Sequence, residues 1–381
     1  MFAHIPQEAR APGTNVSRMK ARVVRAATAV GLVAGVVFAG GVSARPAAPI
    51  HPLEGVGHFS HVVVLTEENE NAAATFDSAS PDPYLRSLRN RGVFLPNYYG
   101  IGHVSLDNYI AMSSGQLPQP LTSSDCLAVS LWTCVQVQSA QSSGRNLADQ
   151  LEEAGLSWRS YQDGTSTPCF HAAYTAGGTS TDPYQGDSTT GAKNYADRHN
   201  PFIYYPDVIN DQARCAAHQR PISDLAADVS ANRLPAFSFI TPDTCDDGHD
   251  NPCADGRAGG LTSADAWLSA TLPPLLSYLA HHDGLLVINV DEGSVPPNPA
   301  AVASTPGDYT CASCASGGAG GRTGAILISP RLPQGVVVAT GYDHYSLLRT
   351  LEDSFGISEH LNQAAQANPM TDAFAGLGGH S

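Results

Sequence analysis

Positive charge is scarce in this chain. Only 20 Lys and Arg stand against 35 Asp and Glu over 381 residues, a formal net charge of −15. A surface this acidic repels nucleic acid and anionic membranes at long range, so nucleic acid is not expected as a partner. Long apolar runs are also few. Apart from Ala26–Gly41, no stretch approaches the roughly 20 residues that a bilayer-spanning helix needs. No internal repeat is found, which excludes a solenoid or propeller. Outside Cys311-Ala-Ser-Cys314 there is no second CxxC, and no pair of histidines accompanies that one, so a zinc or redox motif is disfavoured there.

The single apolar run has the layout of an export signal. Arg18, Lys20, Arg22 and Arg25 precede it, and Val42-Ser43-Ala44 follows with small residues at −3 and −1. No adjacent Arg-Arg pair points to twin-arginine export. Residues 1–44 are therefore expected to be a signal peptide, cut after Ala44, with Met19 as an alternative start. The expected product is secreted, with no stable membrane insertion after cleavage. Removing the segment leaves 15 basic against 34 acidic side chains, a net −19. Some of those carboxylates are candidates for holding cations.

All eight cysteines follow the cleavage site. An even count in an exported chain reads as disulfides. Sequence proximity suggests Cys126–Cys134, Cys245–Cys253 and Cys311–Cys314, leaving Cys169–Cys215, although eight cysteines allow 105 pairings.

Strands alternate with helices along the chain, which predicts an α/β fold with a mostly parallel sheet and helices on both faces. The expected strands are His61–Thr66, Phe94–Tyr99, Ser157–Tyr161, Ala236–Ile240, Leu285–Val290 and Ala325–Ile328. Expected helices cover Tyr84–Asn90, Asn108–Ser114, Asn146–Ala154 and Tyr345–Phe355. Ala264–His281 reads as a long helix bent or broken at Pro273-Pro274. Two segments, Tyr161–Ala213 and Ser294–Gly321, read as loop insertions that shape a substrate mouth.

The chemistry follows the strands. His61–Thr66 runs into Glu67-Glu68-Asn69, Leu285–Val290 into Asp291-Glu292, and Ala236–Ile240 into a turn holding Asp243, Asp246, Asp247, His249 and Asp250. Carboxyl ends of parallel strands meet at one edge of the sheet, where ligands bind. So many carboxylates in one place repel one another unless a cation joins them. Oxygen donors with some histidine suit Mg, Ca, Mn, Fe or Zn. A fourth cluster, Gly102 to Tyr109, leads into a helix whose free N–H groups favour an anion. Beside a metal, the Ser105 hydroxyl could attack phosphorus. Asn108 could donate to the other phosphate oxygens, and a helix cap is the alternative role for Ser105.

Taken together, HVVVLTEEN at 61–69, NYYGIGHVSLDNYIAMSSG at 97–115, RHNPF at 198–202, SFITPDTCDDGHD at 238–250, DAWL at 265–268, VDEG at 290–293 and DHYSLLRTLEDSFGI at 343–357 resemble the bacterial phosphoesterase family. That family holds secreted acid phosphatases and non-zinc phospholipases C, and its fold is similar to that of alkaline phosphatase. The motifs occur in the family's order and span nearly all of 45–381, which implies one catalytic domain with disulfide-stapled loops. Length and the DAWL helix look closest to the secreted acid phosphatases, some of which act on phosphoinositides.

The resemblance implies that Glu68, Asn69, Asp291 and Glu292 bind a divalent metal, with Asp246 a further candidate. It implies that Ser105 is the nucleophile and Asn108 a phosphate ligand, with Asp250 also near substrate. His249, His199 and His344 are implied as catalytic histidines, one of which protonates the leaving group. The implied reaction is hydrolysis of a phosphate monoester, or of a phospholipid headgroup, through a phosphoserine. A phospholipase C or phosphodiesterase of the same fold is one alternative, disfavoured by the absence of the long C-terminal domain many such enzymes carry. An inactive phosphate-ester-binding protein is the other. Two departures stand out. Val104 and Asp107 replace prolines common around the serine, and Asp107 adds negative charge near an incoming phosphate. Glu70-Asn71-Ala72 replaces a segment that usually begins with a basic or His residue.

Overall fold

Branched side chains without polar alternation cannot leave one face in water, and His61–Glu67 (β1) accordingly lies inside a sheet, with six of its seven residues buried. The computed structural model describes residues 52–126, 134, 144–171, 194–253, 255–296, 299–314 and 316–377. The expected signal peptide, 1–44, lies outside them. After β1 come Ala72–Phe76 (α1), Pro83–Leu88 (α2), Val93–Leu95 (β2), Tyr98–Tyr99 (β3) and Ser105–Ser114 (α3). The middle of the chain forms Leu147–Glu153 (α4), Trp158–Gln162 (β4), Pro206–Ile209 (α5), Gln212–His218 (α6), Gln219–Pro221 (β5), Ser223–Ser230 (α7) and Phe237–Thr241 (β6). Then follow Gly260–His281 (α8), Gly284–Val290 (β7), Pro299–Ser304 (α9) and Pro306–Tyr309 (α10). Ala325–Ile328 (β8), Val336–Val337 (β9), Tyr342–Asp343 (β10) and His344–Ser354 (α11) complete the order.

The main sheet has the order β5-β4-β6-β1-β7-β8-β2-β9, and β3 pairs with β10 separately. β1 runs parallel to β6 on one side and β7 on the other, with Leu65 opposite Ile240 and Ile288. Those three strands therefore release their next residues at the same edge. β8 is antiparallel to both β7 and β2, so the sheet is mixed but mostly parallel. Side-chain alternation splits the core. Val62 and Val64 pack with Leu106, Tyr109, Leu347 and Leu351 on one face. Val63 and Leu65 pack with Leu85, Leu268, Leu272 and Leu276 on the other. Helices thus cover both faces, as the pattern predicted.

α8 runs as one helix through Pro273 and Pro274, so of the two expected outcomes, a bend or a break, the break does not occur. Both prolines are exposed, as are Ser269 and Ala270, whose carbonyls lose their usual N–H partners and can meet water instead. Leu268, Leu272, Leu275 and Leu276 hold the opposite side against the sheet. Two expected loop insertions also carry structure: α5 lies within 161–213, and α9 and α10 within 294–321. β5, α6 and α7 have weak sequence signals and were not expected. Four disulfides join Cys126–Cys134, Cys169–Cys215, Cys245–Cys253 and Cys311–Cys314, the pairing that proximity suggested. Among the described residues no helix is long and apolar enough to cross a membrane.

Candidate active site

The three central strands end in backbone stitches that fix the acidic residues beyond them. The Glu68 N–H donates to the Asp247 carbonyl at 2.7 Å, and the Asp291 N–H to the Glu67 carbonyl at 2.9 Å. Asp291 Oδ1 then accepts the N–H groups of Asn69 at 3.0 Å and Glu292 at 2.5 Å. Asn69 reaches this position in the left-handed region, at φ 55°. Gly100 lets the serine loop approach, since a Cβ there would lie 2.6 Å from the Asp291 carbonyl oxygen.

Ser105 is the first residue of α3, and its Oγ donates to Glu68 Oε2 at 3.0 Å. One turn on, the Tyr109 hydroxyl donates to the other oxygen, Glu68 Oε1. The Tyr109 ring stacks on His199, with centroids 5.3 Å apart and planes 6° from parallel. His199 Nε2 lies 3.4 Å from Glu68 Oε2, and its Nδ1 lies 3.2 Å from Asp247 Oδ2. Glu68, His199 and Asp247 are all buried, and one donor atom from each falls within 4.8 Å of the others.

These groups pass the test for a cation. Neither ring nitrogen of His199 has hydrogen-bond geometry to a partner, and Asp247 Oδ2 and Asp291 Oδ2 are buried without one. Such atoms are costly to bury unless something binds them. The electrostatics agree. Burial raises the Glu68 carboxyl well above its usual range, and the charges of Asp291 and Asp247 raise it further. Burial likewise lifts Asp247 well up and Asp291 to about 6, while Glu292 is pushed to about 10 by burial and Asp291. His199 is driven well down by burial and by Arg198 and His249. Without a cation this site favours neutral groups; a cation would reverse that preference.

The remaining predicted residues surround this centre in different ways. His249 donates from Nδ1 to Asp250 Oδ1 at 2.9 Å, and its Nε2 faces Arg198 at 3.4 Å. Glu292 lies 3.4 Å from His103 Nδ1, which donates to the Gly293 carbonyl. His344 is fully buried with both nitrogens engaged: Nε2–H donates to the Asp291 carbonyl at 2.5 Å, and Nδ1 accepts from Tyr98 at 2.9 Å. Burial pushes it down to about 4. Asn108 turns its amide into its own loop, accepting from Ile101 at 2.7 Å and donating to Gly102 and Val104 at 3.1 Å. Asp246 faces Arg257 at 2.6 Å and is not in the Glu68 group. Asp107 turns its carboxylate to Ser123 at 2.6 Å. Asp265, within α8, accepts from the Leu85 N–H at 2.8 Å.

Two residues of the centre had no assigned role in the sequence reading. Asp247 adjoins Asp246, and spacing alone cannot tell which neighbour turns inward; the pairing of its carbonyl with the end of β1 decides. Tyr109 has a weak signal, four residues after the serine and so on the same side of α3.

Residues 74–358 match the profile of the Phosphoesterase family. The chain is 26% identical over 330 residues to a probable acid phosphatase of Kluyveromyces lactis, covering 84% of this chain and 64% of that one. It spans less than two thirds of that relative's length, and also of a phosphate-repressible acid phosphatase of Penicillium chrysogenum, 63% of which it covers at 27% identity. A phosphatidylinositol-3-phosphatase of Mycobacterium tuberculosis is 25% identical over 357 residues, covering 94% of this chain and 96% of that one. A solved protein of the alkaline phosphatase superfamily from Vibrio parahaemolyticus superposes with a TM-score of 0.51 at 14% identity, covering 81% of this chain and 69% of that one. That likeness shows the fold, which is alkaline-phosphatase-like.

Proposed function

The chain belongs to the phosphoesterase family, and we propose that it is a metal-dependent phosphatase acting on phosphate monoesters through a phosphoserine at Ser105. The observation that carries this reading is the hydroxyl of Ser105, at the start of a helix and 3.0 Å from Glu68, inside a buried Glu68–His199–Asp247 group. Two carboxylates and an imidazole suit Zn, Mn or Fe better than Ca or Mg. When bound, such an ion supplies charge that polarises a phosphoryl oxygen and lowers the pKa of a nearby hydroxyl.

The chain's own groups do the rest. Glu68 Oε2 receives the Ser105 proton, and Oγ attacks phosphorus as the bond to the leaving oxygen breaks. His249, oriented by Asp250 through Nδ1, gives a proton from Nε2 to that oxygen once Nε2 is protonated and turned from Arg198 to the substrate. The same nitrogen then takes a proton from water as the water oxygen bonds to phosphorus and the P–Oγ bond breaks; Glu68 returns its proton to Oγ, freeing inorganic phosphate and restoring Ser105. His344, locked by Tyr98 and the Asp291 carbonyl, holds the Asp291 loop. Matching along nearly the full length of a phosphatidylinositol-3-phosphatase supports a phosphoinositide among the substrates. The signal-like segment and four disulfides support secretion, with 45–381 as the working domain.

The test is hydrolysis of nitrophenyl phosphate, a short-chain phosphatidylinositol 3-phosphate and a nitrophenyl choline diester, with and without chelator. Monoester turnover should vanish with chelator and return with one metal. Ser105→Ala should lose at least about a thousandfold in rate and no longer trap labelled phosphate on acid quench. Turnover of the diester alone would replace the phosphatase reading with a phosphodiesterase. A fully active Ser105→Ala variant would exclude the covalent route.

A further inference from the structure

Glu67 stands beside Glu68 in sequence but on the other side of the sheet. Strand alternation sends it with Val63 and Leu65 toward the layer formed by α2 and α8. It is 2% exposed, and neither carboxylate oxygen has a hydrogen-bond partner. The residue before α2, Asp82, is fully buried, makes no side-chain cap to that helix, and also leaves both oxygens without a partner. Asp265 on α8 supplies a third buried carboxylate, and its bond to Leu85 pins the first turn of α2 over this spot.

The arginines near this cluster are occupied elsewhere. Arg86 donates from Nη1 to the carbonyls of Asp77, Ser78 and Ser80, while Arg257 faces Asp246 and Asp255. The charged groups that act on Glu67 are Asp246, Asp82, Glu70 and Asp265, all of its own sign. Asp82 is pushed up to about 6 by burial; the Asp265 charge adds to the rise, while the Ser80 hydroxyl and the Arg86 charge oppose it. Four buried carboxylate oxygens without donors are unusual in a native core.

We infer that Glu67, Asp82 and Asp265 form a second cation site, on the sheet face opposite the Ser105 centre, suited to a hydrated magnesium ion. All the donors are hard oxygens, without the histidine of the first centre. The three carboxylates do not draw within 4.8 Å of one another, a separation that direct coordination of all three would need to close. Mg²⁺ keeps several of its waters and commonly binds through one or two carboxylates, so it tolerates the wider cradle. Each retained water can donate to an oxygen that now has no partner. This site does not depend on the phosphatase reading and lies outside its chemistry.

The test compares the full chain with its Glu67→Gln/Asp82→Asn variant by equilibrium dialysis against Mg²⁺ and by melting with and without it. The wild type should take up one more Mg²⁺ per chain, and Mg²⁺ should raise its melting midpoint more than that of the variant. Equal uptake by both would overturn the site. If, in addition, the variant melts higher in metal-free buffer, the two acids are carboxyls packed without an ion. Should circular dichroism show the double variant unfolded, Glu67→Gln alone gives the same comparison. Glu68→Gln, run in parallel, reports on the first centre, so failure of one site is not mistaken for failure of the other.

Discussion

Tyr109 joins two tasks in one side chain. Its hydroxyl holds one oxygen of Glu68 while Ser105 holds the other, and its ring lies flat on His199. Groups that orient ligands in this way typically contribute about 10- to 100-fold to metal affinity. Tyr109→Phe keeps the stack and removes the bond, so it should weaken metal binding by about tenfold with circular dichroism unchanged. Calorimetric titration of chelated protein checks this; an unchanged affinity would mean that Ser105 alone holds Glu68. Asp247→Asn should cost more, because it removes a charged donor. The residue scale is also where sequence reading ends. Ser105 and Glu68 were legible because a helix start and a strand end fix where they point, whereas His199, in a short turn over Asp197–His199, was reached only through the family resemblance. Asp246 and Asp247 are chemically identical, and only the tertiary pairing turns one inward and the other to Arg257. The amide of Asn108 fits a phosphate as well as it fits its own loop; the short path back to Ile101 and Gly102 decides for the loop.

At the level of elements, legibility follows burial. β1, β6 and β7 are buried runs, and they were readable to within a residue because branched and aromatic side chains dominate them. α8 was readable to its end at His281 but starts at Gly260, four residues before the expected Ala264, and it stays helical through its prolines because the freed carbonyls can meet water. β5 is three residues of Gln-Arg-Pro at the sheet edge, with no hydrophobic signature, and is held by pairing to β4. That edge carries a testable staple. Cys169–Cys215 ties the segment after β4 to α6 across 46 residues, a loop whose closure stabilises by about 4 kcal/mol in the chain-entropy account. Cys311–Cys314 closes only three residues, for which the same relation gives about 1.6 kcal/mol. Cys169→Ser/Cys215→Ser should therefore destabilise more than Cys311→Ser/Cys314→Ser in urea melts. The reverse order would show that the α6 edge is held by packing of Trp158 on His218 and Phe202 instead of by the crosslink.

The whole molecule carries far more acid than base, and much of that acid is buried. Unfolded carboxyls titrate near 4. In the fold, burial lifts Asp82 and Asp291 to about 6, Glu70, Asp149 and Asp243 to about 7, and Glu352 to about 8. A group raised in the fold lends stability that is complete below its unfolded value and lost as pH climbs through its folded value. His344, lowered to about 4, and His199, lowered well down, act oppositely: their contribution is complete above about 6.5 and lost as pH falls toward their folded values. Between pH 8.5 and 6.5 the carboxyls titrate almost alone, so the chelated chain should melt at higher temperature as pH falls across that window. Metal reverses the trend, because protons compete with it for Glu68 and Asp247. The rise in melting midpoint on adding metal should therefore shrink over the same two units. Melting curves at pH 5.5, 6.5, 7.5 and 8.5, with chelator and with saturating metal, measure both slopes. A chelated chain that loses stability from pH 8.5 to 6.5 would mean that these carboxylates are charged in the fold without any ion, and the case for cation binding at the strand ends would lose its electrostatic half.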